Sequence, residues 1–136
     1  MVVTRRLNVQ TKGASDIIDI TPDVQREVQA AGLKAGTATV FVQHTTAAVT
    51  VIEHEPGLLL DTRALWERLV PGDTPYKHNV HDDNGHAHLR AALQGPSLVV
   101  PFVDGKLALG RWQRIVLLDF DTRPRSRELV VQVMGE

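Results

Sequence analysis

Residues 97–120 read SLVVPFVDGKLALGRWQRIVLLDF. Two apolar runs are separated here by a turn signal. Ser97 to Phe102 is a strand, Asp104-Gly105 favours a tight hairpin, and Leu107 to Leu109 is the short return strand. Gly110-Arg111-Trp112-Gln113 leads into a further strand, Ile115 to Phe120. Hairpins join antiparallel strands, so the stretch predicts an antiparallel sheet. Alternation along a strand places Trp112 and Gln113 on opposite faces, which predicts a buried or pocket-lining tryptophan and a polar amide turned the other way.

On the C-terminal side, Arg123, Arg125 and Arg127 alternate with Pro124 and Ser126. A row of guanidinium groups suits phosphate or carboxylate, and a solvated edge is the plain alternative. Leu129, Val131 and Val133 form a last strand. On the N-terminal side, Tyr76 to Leu93 reads YKHNVHDDNGHAHLRAAL and holds His78, His81, His86 and His88. Imidazole is the commonest side-chain metal ligand, so this loop is a candidate metal or catalytic site; a polar surface loop is the alternative. Asp83 or Asn84 is the expected cap of the helix that follows, with Leu89, Ala92 and Leu93 buried. His86 and His88 are two apart and diverge on a helix, so at most one of them can share a site with His44.

Further back, Pro56 opens a helix with an apolar stripe of Leu58, Leu65 and Leu69 beside Trp66. Val49, Val51 and Glu53 share one strand face, so Glu53 is either edge-exposed or a half-buried carboxylate of the kind overrepresented at active sites. His44-Thr45-Thr46 ends the β-branched strand Thr37 to Gln43 and suggests the lip of a site. Thr21-Pro22 starts the first helix, with Thr21 as its cap and Gly32 as its stop. Strands Asp16 to Ile20 and Val3 to Val9 precede it. The expected fold is α+β: an antiparallel, β-rich, two-layer, sandwich-like domain over residues 1–136, with about three helices at its side.

Composition is that of an ordinary globular chain, and a net charge of −1 argues against nucleic acid as a general partner. No cysteine is present, which excludes thiolate ligands and fits a cytoplasmic protein. No apolar run reaches transmembrane length, so no membrane is expected as a partner.

HTTAAVTVIE followed by Asp61, then YKHNVHDDNGHAHLRAALQG, PFVDGKLALGRWQRIVLLDFD and RELVVQVMGE together resemble the YjbQ-like family, also called the secondary thiamine-phosphate synthase family. The likeness covers nearly the whole chain from Phe41 and is looser before it. Its most specific mark is Leu107-Ala108-Leu109-Gly110-Arg111-Trp112-Gln113. The resemblance implies a homotrimer, a weak thiamine-phosphate synthase activity and metal binding around the histidines. It places the family's motif histidines at His44, His78 and His88, its glutamate at Glu53, and its Trp-Gln pair at Trp112 and Gln113. The chain departs from the pattern at Gly85-His86 and at Asp121-Thr122-Arg123-Pro124-Arg125.

The candidate catalytic residues are therefore Glu53 and His44. Thr45, Thr46, Asn84, Gln113, Arg125 and Arg127 are the candidates for binding a small phosphorylated substrate. His44, His78 and His88 are the candidate ligands of a divalent metal, zinc by donor type, with Asp61, Asp82 and Asp83 expected to orient their rings. Magnesium would suit the synthase reaction, although it prefers oxygen donors. A metal-dependent hydrolase and a non-catalytic binding module remain as alternatives.

Overall fold

A computed structural model describes all residues from Met1 to Glu136. Its strands are β1 (Val2–Thr11), β2 (Asp16–Asp19), β3 (Ala35–Val42), β4 (Ala47–Ile52), β5 (Ser97–Val103), β6 (Lys106–Leu107), β7 (Arg114–Asp119) and β8 (Arg125–Gly135). The helices are α1 (Thr21–Ala31), α2 (Pro56–Leu69) and α3 (Gly85–Gln94), with a single 3-10 turn at Lys77–Val80. One sheet runs β1-β8-β3-β5-β6 and the other β2-β7-β4. Every pairing is antiparallel, as the hairpin signals predict. Asp104 and Gly105 both take left-handed φ angles, of 53° and 72°, and join β5 to β6 in a two-residue turn.

Strand β7 explains the layering. Its odd residues, Ile115 and Leu117, enter a core with Val40, Val42, Leu129, Val131 and Val133 of the large sheet. Its even residues, Val116 and Leu118, continue to Phe120 and enter a second core with Trp66, Ala87 and Ala91. A strand buried on both faces reads as an unbroken apolar run, which is how IVLL reads. Helix α1 adds Val24 and Val28 to the first core. Helices α2 and α3 cover the outer face of the small sheet, where the Trp66 and Phe120 rings meet edge to face at 5.1 Å.

Helix faces differ from the expected stripes. In α3 the buried residues are Gly85, Ala87, Arg90 and Ala91, while Leu89, Ala92 and Leu93 face solvent. In α2 only Trp66 is fully buried, and Leu65 and Leu69 are exposed. Small residues let α3 lie close on β4, and Arg90 fills the seam. Its guanidinium donates to the Val70 carbonyl at 2.9 Å, the Ser15 hydroxyl at 3.2 Å and Glu67 at 2.9 Å. Thr21 is not a cap. Its hydroxyl takes the Ile115 N–H at 2.8 Å, while Asp19 accepts the Thr21 N–H at 2.9 Å. Trp112 lies in the turn before β7, 61% exposed, with the Arg111 guanidinium 4.7 Å from its ring centre. The expected burial fails because the strand alternation starts only at Arg114.

Candidate functional site

At one end of the sandwich the apolar rows give way to charge. The face of β7 that carries Ile115 and Leu117 continues to Asp119 and Asp121. The face of β8 that carries Leu129 and Val131 begins with Arg125 and Arg127. Both rows point into the gap between the sheets, so two aspartates meet two arginines there.

Arg127 grips Asp119 with both arms of its guanidinium, Nε at 2.7 Å and a terminal nitrogen at 2.8 Å. Asp119 is 0% exposed and also accepts the Thr11 hydroxyl. Arg127 donates to the Thr46 hydroxyl at 2.7 Å, and Thr46 donates to Asp121 at 2.9 Å. Asp121 takes Arg125 Nε at 3.2 Å and the Asn84 amide at 3.3 Å. Burial pushes the Asp121 carboxyl up, but the Thr122 N–H, Thr46, Arg125 and Asn84 together hold it below the usual carboxylate range.

This network floors an open cleft of about 1200 Å³, lined among others by His44, Thr45, His88, Leu89, Arg125 and Phe41. Its size suits a small molecule. His44 stands in the β3–β4 connection, and its Nε2 accepts the Glu128 N–H at 2.9 Å. Burial first, then the Arg127 guanidinium, pushes His44 below the ordinary imidazole value. His88 reaches the cleft from α3. His78, on the 3-10 turn, meets His88 with ring centres 4.5 Å apart, and its Nε2 lies 3.1 Å from Asn84 Oδ1. Gly85 lets this turn approach, since a Cβ there would stand 2.7 Å from the Tyr76 Cβ.

His44, His88, Thr45, Thr46, Asn84, Arg125 and Arg127 thus share one cleft, and His78 touches it through His88 and Asn84. Three other candidates lie apart. Glu53 follows the far end of β4 and is exposed, a strand's length from His44, because β4 stops at Ile52. Gln113 caps the Gly110 N–H at 2.7 Å beside a smaller cleft that includes Thr21 and Gln25. Arg123 precedes β8 and pairs with Asp82 and Asp83 at 3.8 and 3.4 Å, so it leaves the arginine row. Those aspartates therefore do not orient the histidines; Asn84 does so for His78, and the Glu128 backbone does so for His44. His86 lies away from the cleft, near Gly72, its Nδ1 buried without a partner.

As metal ligands the residues fit only in part. His78 and His88 stand ring to ring, but no three His, Asp or Glu side chains are placed to hold an ion together. Sequence reasoning missed Asp119 and Asp121. The signal was present: an Asp-Phe-Asp alternation at the end of an otherwise apolar strand.

Two antiparallel sheets with helices over the smaller one, and a histidine-lined, ion-paired end, define a YjbQ-like protein. The sequence model of the family described as "UPF0047 protein YjbQ-like" matches residues 5–136, and the chain belongs to that family. It is 45% identical over 128 residues to a UPF0047 protein of Archaeoglobus fulgidus, covering 94% of this chain and 98% of that one. A hypothetical protein from Aeropyrum pernix has a similar structure, with a TM-score of 0.93, 38% identity and coverage of 98% and 99% of the two chains. So does a YbjQ-like protein of unknown function from Sulfolobus solfataricus, with a TM-score of 0.91, 35% identity and full coverage of both chains. No helix is long and apolar enough to cross a membrane.

Proposed function

We propose that the cleft is the active site of an enzyme acting on a small anionic substrate, and that the thiamine-phosphate synthase activity implied by the family resemblance is a secondary reaction carried there. The supporting observation is the Asp119–Arg127–Thr46–Asp121 network beneath the histidines. Apolar residues of similar volume stabilise a core at least as well as a buried ion pair, so charges kept beneath an open cleft favour a functional reading. Arg125 and Thr45 offer an anion its contacts, and the histidines supply hydrogen bonding and proton transfer. Both floor arginines are already paired with aspartates. A pyrophosphate therefore meets little uncompensated positive charge, which suits a secondary activity better than a principal one.

The test is turnover of the pyrimidine pyrophosphate and thiazole phosphate with Mg²⁺, beside a panel of phosphoesters. Slow turnover that falls by about 10²–10⁴ in His78→Gln is expected. Activity that survives His44→Gln, His78→Gln and His88→Gln together would place the chemistry elsewhere.

A second reading makes His78 and His88 ligands of a divalent metal, zinc by donor type, and their ring contact favours it. Tag-free protein should then hold one equivalent of metal and lose it in His88→Ala. Metal-free protein that takes up no zinc on titration removes this reading.

The resemblance also supports a homotrimer. The outer face of the large sheet carries exposed Phe41, Val99, Val103 and Met134, and no element of the chain covers it. Light scattering at micromolar concentration should give three times the mass of the chain. A monomeric mass would remove the proposal.

A further inference from the structure

We infer that His44 and His78 are held in opposite neutral tautomers, so that His44 presents an N–H donor and His78 a lone pair, with Asn84 as the residue that fixes His78.

For neutral rings, donors and acceptors leave no other consistent assignment. An ionised carboxylate can only accept, and Asp121 is surrounded by the Thr46 hydroxyl, the Arg125 guanidinium and the Thr122 N–H. The Asn84 group facing it, at 3.3 and 3.5 Å from its two oxygens, must therefore be the amide NH₂. That turns Asn84 Oδ1 toward His78, where it too can only accept. His78 Nε2, 3.1 Å away, then carries the proton, and the lone pair of the neutral ring lies at Nδ1. Asn84 is itself buried, so water does not compete for its amide. His44 is set the other way. The Glu128 backbone N–H is a fixed donor, 2.9 Å from His44 Nε2. That nitrogen holds the lone pair, and the proton of the neutral ring sits on Nδ1.

The two rings thus have distinct chemistry before any ligand arrives. The unprotonated nitrogen of His78 is Nδ1, while its Nε2–H stays engaged by Asn84. His44 stays neutral and transfers no proton; its Nδ1–H is a hydrogen-bond donor for a carbonyl or an oxyanion. Asn84 touches His78 rather than the reacting atoms and is a positioning residue. The inference rests on the proposed active site only for its consequence, because the tautomers exist whether or not a reaction occurs.

Long-range proton–nitrogen spectra of the full chain with ¹⁵N-labelled histidine test it, at about pH 8.5, where a ring of ordinary pKa ~6.5 is neutral. The expected spectrum shows His44 protonated at Nδ1 and His78 at Nε2, each as a single tautomer. In Asn84→Ala, His78 should become an averaged mixture while His44 is unchanged, and the His44 signal also reports that the fold is intact. A wild-type His78 that is already averaged, or protonated at Nδ1, overturns the inference. So does an Asn84→Ala spectrum in which His78 keeps a pure Nε2–H form. If that variant does not fold, the wild-type spectrum decides alone. A protein with no turnover but with these two tautomers would sink the proposed activity and leave the inference standing.

Discussion

Asp119 and Arg127 hold opposite charges where neither meets water. Removing one partner strands the other. Arg127→Met should cost about 3–5 kcal/mol, while Arg127→Met with Asp119→Leu should recover most of that loss. Urea denaturation of the single and double variants measures both. A double variant no more stable than the single would show that Thr11 and Thr46 need the charges as well. The double variant also lacks the guanidinium that now donates to Thr46, so it should fold well and work badly. The aspartates were legible in principle from their spacing. The arginines were legible as a row, but not as one with a member missing. Nothing in the sequence says that Arg123 turns out to Asp82 and Asp83 while its two neighbours turn in.

Strands were the easiest elements to read, because alternation and turn chemistry are local. Hairpin β5–β6 follows from Asp104-Gly105 alone. Helix faces were harder. In α3 the choice lay between the face of Leu89, Ala92 and Leu93 and that of Ala87 and Ala91, and close packing on β4 decided for the second. Such a choice depends on the distance to a partner element, which no window of sequence contains. Two backbone predictions belong here. Gly85→Ala should cost about 1–3 kcal/mol, because its Cβ would stand 2.7 Å from the Tyr76 Cβ and 2.8 Å from Asn79 Oδ1. It should also push the His78 turn away from Asn84, which a changed His78 spectrum would report. Between β1 and β2, Ala14 and Ser15 both take left-handed φ angles, of 54° and 63°. Ala14→Gly relieves one of these and should raise stability by about 0.5–1 kcal/mol. An unchanged melting temperature would show that the extra freedom of glycine in the unfolded chain cancels the relief.

Across the whole molecule, burial pushes both His44 and His86 below the ordinary imidazole value. At His86 the Arg90 guanidinium adds to that, while Glu67, Asp121 and Asp83 oppose it. The unfolded chain then binds protons at a higher pH than the folded one. This stability is fully present above about pH 6.5 and is lost as pH falls through the lower folded values. The melting temperature should fall as pH drops below about 6.5, before the carboxylates titrate, and the slope should lessen in His86→Leu. A flat profile between neutrality and pH 5 would refute the claim. The pairing of β1 with β8 has a different consequence. Val2 faces Met134 and Thr11 faces Arg125, so the first strand waits for a partner more than a hundred residues downstream. Both floor arginines ride on that late strand. That strand also lies between β1 and β3 and gives Leu129, Val131 and Val133 to the main core, so without it the large sheet is split and the core is incomplete. Asp119 and Asp121 stay without their guanidinium partners until β8 pairs, so closing the large sheet and completing the floor of the cleft are one step of folding.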